Sequence, residues 1–237
     1  MSLLTVGNPK LLKGQKKGYL SSVLHLAPAN LSGKEVCPKR TAGCTAACLN
    51  TAGRGGIFKK GESTNVIQQA RIRKTKAFFE NRQAFLNELV VEIIKTKTKA
   101  EKQGLIPVFR LNGTSDLSWE KYEVTNGKNI FQMFPEVQFY DYTKVNNRKV
   151  KHIPNYHLTF SKADGNDMDV RIAISNGMNV AAVFHKVPET YLGRPVINGD
   201  ETDLRFLDPK GVIVGLKAKG LLRNNPQSAF LGDNHNV

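Results

Sequence analysis

The 237-residue sequence predicts an α/β fold in which mostly parallel strands carry helices outside them, as a doubly wound sheet or a partial (β/α) barrel. Three observations lead there. Short apolar runs of strand length alternate with stretches of helical period. Each apolar run ends in a polar cluster, the arrangement found at the carboxyl ends of strands in α/β folds. No linker rich in Pro, Gly or Ser divides the chain, so residues 1–237 read as a single domain with a cysteine-rich loop at 37–54.

The elements follow in order. Residues 19–27, Tyr-Leu-Ser-Ser-Val-Leu-His-Leu-Ala, read as a first strand that stops at Pro28. The cysteine loop comes next, and Thr51-Ala-Gly-Arg-Gly-Gly56 punctuates its tail. From about Ser63 to Gln103, Phe78, Phe79, Phe85, Leu86, Leu89, Val90, Ile93 and Ile94 recur at three- and four-residue intervals among lysines and arginines. A stretch this long accommodates two helices, and Gly104 ends it.

Ile106–Leu111 then reads as a strand running into Asn112-Gly-Thr-Ser-Asp116. The pattern repeats with Val137–Tyr140 before Asp141-Tyr-Thr-Lys144, and Tyr156–Phe160 before Ser161-Lys-Ala-Asp164. Val180–Phe184 ends at His185, Pro195–Ile197 at Asp200, and Val212–Leu216 at Lys217. Helices are expected near 127–134 and 167–176, the second opened by Asp167 and Asp169, whose charges suit a helix N-terminus. On this topology Arg110, Asn112, Asp116, Asp141, Lys144, Ser161, His185, Asp200 and Lys217 converge on one rim, beside the cysteine loop. Taken singly, each of these has an ordinary role in a turn or a cap.

Charge is unevenly spread. The chain carries 35 Lys and Arg against 20 Asp and Glu, and residues 1–103 hold 19 of the basic groups with only 6 acidic ones. A basic half of this kind is the footprint of a nucleic-acid-binding surface or the solvated face of a long helix. No helix-turn-helix, zinc-finger or RRM signature accompanies it, and no Walker motif, HExxH helix or Gly-x-Ser-x-Gly elbow points to another enzyme class. No apolar run is long enough to span a membrane, and the first residues lack the apolar stretch of a signal peptide, so a cytoplasmic protein without a membrane partner is expected.

All three cysteines, Cys37, Cys44 and Cys48, fall in one twelve-residue window, with six residues and then three between them. Buried structural cysteines scatter through a core; three in one Gly- and Lys-containing loop suit a shared ligand. An odd count in a chain without secretory features argues against a disulfide framework. Three readings stand: an iron-sulfur cluster with one iron left open, zinc with His25 as a fourth ligand, and plain structural thiols. Taken singly, His25, His152, His157 and His185 read as packing or surface residues, and no general acid or base is assigned.

Five strings carry a family resemblance: residues 37–54, Arg-Leu-Asn-Gly-Thr-Ser-Asp (110–116), Phe-Tyr-Asp-Tyr-Thr-Lys (139–144), Gly-Asp-Glu-Thr-Asp-Leu-Arg-Phe-Leu-Asp-Pro (199–209) and Gly-Leu-Lys-Ala-Lys-Gly (215–220). Together they resemble the phage-borne "gene product 88" family, which implies a phage or mobile-element gene and a host-cytoplasm location. A more distant resemblance is to radical S-adenosylmethionine enzymes, in the order strand, three-cysteine loop, long helix, then a strand ending in a polar turn. That resemblance implies a partial, TIM-barrel-like (β/α) barrel and a [4Fe-4S] cluster on Cys37, Cys44 and Cys48. It further implies S-adenosylmethionine chelating the open iron and yielding a 5′-deoxyadenosyl radical. The superfamily's usual cysteine spacing is three residues and then two.

By strand order, Asn112 to Asp116, including Ser115, would receive the methionine amine and Ser161 would lie near the ribose. Asp141 and Lys144 join them as candidate cofactor-binding residues. The expected substrate is a nucleotide or nucleic acid met by the basic 1–103 half. The alternative is a nucleic-acid-binding or host-protein-binding accessory protein with a structural zinc or iron-sulfur site.

Overall fold

The structure, a computed structural model, describes residues 1–7 and 9–232. In chain order the regular elements are β1 (Leu4–Thr5), α1 (Pro9–Gln15), β2 (Tyr19–Leu24), α2 (Ala29–Ser32), α3 (Ala42–Ala46), α4 (Val66–Glu80) and α5 (Arg82–Lys102). Then come β3 (Ile106–Arg110), β4 (Glu123–Thr125), β5 (Lys128–Asn129), α6 (Ile130–Met133), β6 (Gln138–Thr143), β7 (Tyr156–Ser161) and α7 (Asp167–Ser175). The chain continues through β8 (Val180–Phe184), β9 (Thr190–Tyr191), β10 (Arg194–Asn198) and β11 (Ile213–Lys217). No helix is long and apolar enough to cross a membrane among the described residues.

Nine strands form one sheet in the order β1-β2-β3-β6-β7-β8-β11-β10-β9. Every pairing from β2 through β10 is parallel, and the two edge strands, β1 and β9, are antiparallel to their neighbours. The expected mixed α/β architecture with a mostly parallel sheet is therefore present. The sheet ends in two edge strands and shows no closed barrel.

Alternation along the strands assigns the two faces. Phe109, Phe139 and Leu158 pack with Phe78, Phe85, Leu86, Leu89 and Ile93 of α4 and α5, and with Ile130 and Phe131 of α6. Further along, Phe160, Val180, Ala182 and Ile213 pack with Val170 and Ala173 of α7. These four helices thus share one face. On the opposite face Val108 and Tyr140 pack with Leu204, and Gly14 of α1 lies against Ser21 and Leu204. Burial of both faces is why the strands read as near-continuous apolar runs.

The helical stretch expected over 63–103 is two helices that part at Asn81. Asn65 caps α4 by accepting from the Ile67 and Gln68 amides, and Asn81 caps α5 by accepting from the Ala84 amide. A side-chain oxygen that satisfies a fresh set of N–H groups favours a new start over a continuous helix. Gly104 ends α5 at φ +63°, in the left-handed region where a side chain is costly. The expected helix near 127–134 is only four residues, α6, preceded by the β4–β5 hairpin.

Candidate functional site at the carboxyl ends of the strands

A cavity of about 220 Å³ opens where the parallel strands end. The cysteine loop, the turn after β3, the ends of β6, β7, β8 and β11, and residues 222 and 230 enclose it. Of the residues expected at one rim, Arg110, Asn112, Asp116, Lys144, Ser161 and Lys217 line it, together with Ser115 and all three cysteines.

The cysteine loop is held from two sides. Thr41 caps the short helix α3 by accepting from the Cys44 amide at 3.0 Å, and its own hydroxyl donates to Asp164 beyond β7. The Gly43 amide donates to the other Asp164 oxygen at 3.1 Å. A Cβ on Gly43 would sit 2.5 Å from the carboxylate, so a side chain there would push Asp164 out of this position. Burial works against the Asp164 charge, yet the hydrogen bonds from Thr41 and Gly43 outweigh it and hold its carboxyl below the usual range. On the far side Arg71 of α4 donates to the Asn50 carbonyl and side chain at 3.0 and 2.8 Å, while Asn65 and Gln68 donate to the Gly55 carbonyl.

Asp164 is thus a structural clamp on the loop. Asp164→Ala is expected to speed protease cleavage within residues 37–54 by about tenfold, since two charge-assisted hydrogen bonds close that segment. A cleavage-rate comparison under native conditions checks this, and an unchanged rate would show that Arg71 and Asn65 suffice.

All three cysteines are free and half-buried. Burial, reinforced by Asp116 and the neighbouring thiols, pushes the Cys37 thiol up to about 12; burial likewise raises Cys48. Their mutual influence shows that the thiols share one locale. Cys37 Sγ also lies 3.9 Å from the Thr114 carbonyl, tying the loop to the turn after β3.

That turn is organised by Asn112. Its carboxamide oxygen accepts from Ser115 Oγ, the Leu117 amide and Trp119 Nε1 at 2.8–3.1 Å, and its Nδ2 donates to the Leu117 carbonyl at 3.0 Å. Gly113 passes so close to β2 that a Cβ would meet the Leu24 carbonyl at 2.6 Å. Asp116 is buried, accepts from the Lys144 amide at 2.7 Å, and its carboxyl is raised by burial. Lys144 Nζ donates to Ser161 Oγ at 3.1 Å, bridging β6 and β7 across the cavity.

Three expected rim residues lie elsewhere. Asp141 is fully buried on the helix-bearing face, where it accepts from the Asn112 amide at 2.7 Å and from the Tyr156 hydroxyl at 2.9 Å. It supports the turn from beneath and does not line the cavity. His185 contacts the Leu222 carbonyl at 3.0 Å, outside the lining. Asp200 belongs to a neighbouring groove, where it accepts from the Lys217 amide and from Lys219. His25 is half-buried beside Gly113, and desolvation together with nearby Arg71 and Arg110 pushes its pKa down to about 3.

The sequence pattern missed several lining residues. Tyr142 stacks under Arg110, with the guanidinium 4.6 Å from the ring, and Asp203 pairs with Arg110 at 3.0 Å. Ala47, Ala181, Val183, Leu216, Leu222 and Phe230 add apolar surface to the lining. Phe230 and Leu222 lie in segments of no clear periodicity, and Asp203 sits in the 199–209 string, whose spacing follows no structural rule.

Comparison with known proteins yields a single positive finding. No curated protein and no solved structure matches the chain. The model of one family, described as gene product 88, matches residues 2–233, in agreement with the five strings and with the phage setting they imply. The chain belongs to the gene product 88 family.

Proposed function

We propose that this protein is an iron-sulfur enzyme of the radical S-adenosylmethionine type, a partial (β/α) barrel acting on a nucleotide or nucleic acid. The observation that carries the reading is convergence. Three free cysteines from one loop, the Asn112–Asp116 turn and the Lys144–Ser161 pair line one cavity at the carboxyl ends of parallel strands.

Among the described residues no three His, Cys, Asp or Glu side chains lie close enough to hold a single ion. Zinc, which gathers four ligands on one centre, fits this arrangement poorly, and His25 does not join the cysteines. A cubane cluster asks for a looser grouping, because each of its thiolates binds a different iron atom. Cys37, Cys44 and Cys48 would hold it, and three cysteines would leave one iron without a thiolate from this chain, as the S-adenosylmethionine reading requires. When bound, the cluster would supply one-electron chemistry at the open iron.

The chain's own groups do the remainder. Lys39, Arg40, Arg110, Lys144, Lys217 and Lys219 outnumber Asp116 and Asp203 in the lining, so the cavity favours anionic ligands. The Asn112 carboxamide is fully engaged within its turn, so the turn meets a ligand with a pre-set backbone. Lys144 and Ser161 present donors at the ends of adjacent strands, and Leu222 and Phe230 add apolar surface to the same cavity.

Anaerobic purification with iron, zinc and acid-labile sulfide analysis tests the reading. Expected are iron and sulfide in equal amounts, absorbance near about 400 nm, and 5′-deoxyadenosine when the reduced protein is given S-adenosylmethionine. Stoichiometric zinc without sulfide would overturn it. A cluster that yields no 5′-deoxyadenosine would remove the radical step alone.

A further inference from the structure

A second groove, of about 500 Å³, adjoins the cavity, and Lys217 lines both. Lys13, Lys16 and Lys17 reach the groove from α1 and the turn after it, and Asn198 to Thr202 form its other bank. Thr202 faces the groove while its neighbour Asp203 faces the cavity, so one short segment separates the two spaces.

The charges there are not balanced. Asp200 accepts from the Lys217 amide and from Lys219 Nζ, and Glu201 pairs with Lys17 at 2.9 Å. Those acids are therefore engaged. Exposed Lys16 and Lys217 have no acidic partner among the described residues, and exposed Lys39 stands likewise on the cavity side. Lysines from three separate segments thus mark a path leading from the groove past Lys217 to the cysteine loop.

We propose that this path holds the phosphates of a single-stranded nucleic acid whose reacting nucleotide enters the cavity. The inference rests on the reading of the cavity as the reacting site and adds the form of the substrate. Regularly spaced anions match lysines spread along a track, since each ammonium acts as a point charge on a phosphate. A base held in a duplex stack cannot reach a cavity recessed at the strand ends; the unit must be unpaired or extruded.

The test is fluorescence anisotropy with a labelled twelve-nucleotide single strand, its duplex, a mononucleotide and poly-glutamate as competitors, on the full chain at several salt concentrations. The informative variant is Lys16→Ala/Lys217→Ala. Its control is Lys95→Ala/Lys99→Ala, which removes equal charge from exposed positions of α5 on the opposite, helix-bearing face. Surface changes of this kind leave the fold intact, checked by thermal melting.

The groove variant is expected to bind the single strand about tenfold more weakly, with a salt slope reduced by roughly 1.4 for two lost phosphate contacts. The control should change affinity less than about twofold. Equal losses in both variants, equally tight duplex binding, equal competition by poly-glutamate, or no binding at low salt would each overturn the proposal. Iron and sulfide content, measured on the same preparation, judges the cluster separately. A binding failure in a cluster-bearing protein therefore falls on the nucleic-acid path and leaves the cluster assignment standing.

Discussion

Cys44→Ala is expected to abolish cluster binding, taking the anaerobically prepared protein from roughly four iron ions per chain to background. Absorbance near about 400 nm and 5′-deoxyadenosine formation should vanish with it. The size of the effect follows from the ligand count: with only three cysteines in 237 residues, no other thiol of the chain can take the vacated corner. The fold should survive. Cys44 is half-buried and packs from the edge against Ala163, Leu222, Phe230 and Leu231, so truncation to alanine costs about 1 kcal/mol. Iron analysis beside a thermal melt of the metal-free protein separates loss of ligand from loss of structure. A variant that keeps its full iron and sulfide would refute the assignment of the site.

Asp141→Ala is expected to have the largest effect on stability, about 3 kcal/mol or more, read as a lowered urea midpoint. Removing the carboxylate leaves the Asn112 amide and the Tyr156 hydroxyl without their acceptor in a fully buried place. Asp141→Asn is the milder change, because its oxygen still accepts from the Asn112 amide and its nitrogen can donate to the Tyr156 oxygen.

The two forms should diverge with pH. Burial pushes the Asp141 carboxyl up to about 7, against Arg110, Arg148 and the Asn112 and Tyr156 donors, which pull it down. A folded pKa above the unfolded value means that the folded state holds the proton more tightly. The contribution is therefore full below about pH 4, where unfolded aspartate is also protonated, and is lost as pH rises through about 7. Wild type should lose stability relative to Asp141→Asn between about pH 4 and 8, by a few kcal/mol at most. A difference that stays constant over that range would show that Asp141 is ionised throughout.

Much of the architecture was legible because strand and helix periods are local. The runs at 106–111, 156–160, 180–184 and 212–216 lie within a residue or so of β3, β7, β8 and β11. What escaped was short: β1, β9, α1 and the β4–β5 hairpin have too few residues to show a period. The parity of β6 was hidden for another reason. In Gln-Phe-Tyr-Asp-Tyr-Thr aromatic residues fall on both faces, so nothing local says that Asp141 turns to the helices while Tyr142 turns to the cavity.

The sequence by itself determined that three thiols are tethered within twelve residues, and that parallel strands would end in polar turns, because both are matters of local order. Tertiary structure alone decided which of those turns share a cavity. Asn112, Asp116, Lys144, Ser161 and Lys217 meet the cysteines, while Asp141, His185 and Asp200 serve as supports nearby. It also paired Arg110 with Asp203, 93 residues apart, and clamped the cysteine loop with Asp164, 121 residues beyond Gly43. Such contacts depend on strand register and on close backbone approach at glycines, and neither leaves a periodic trace in the chain.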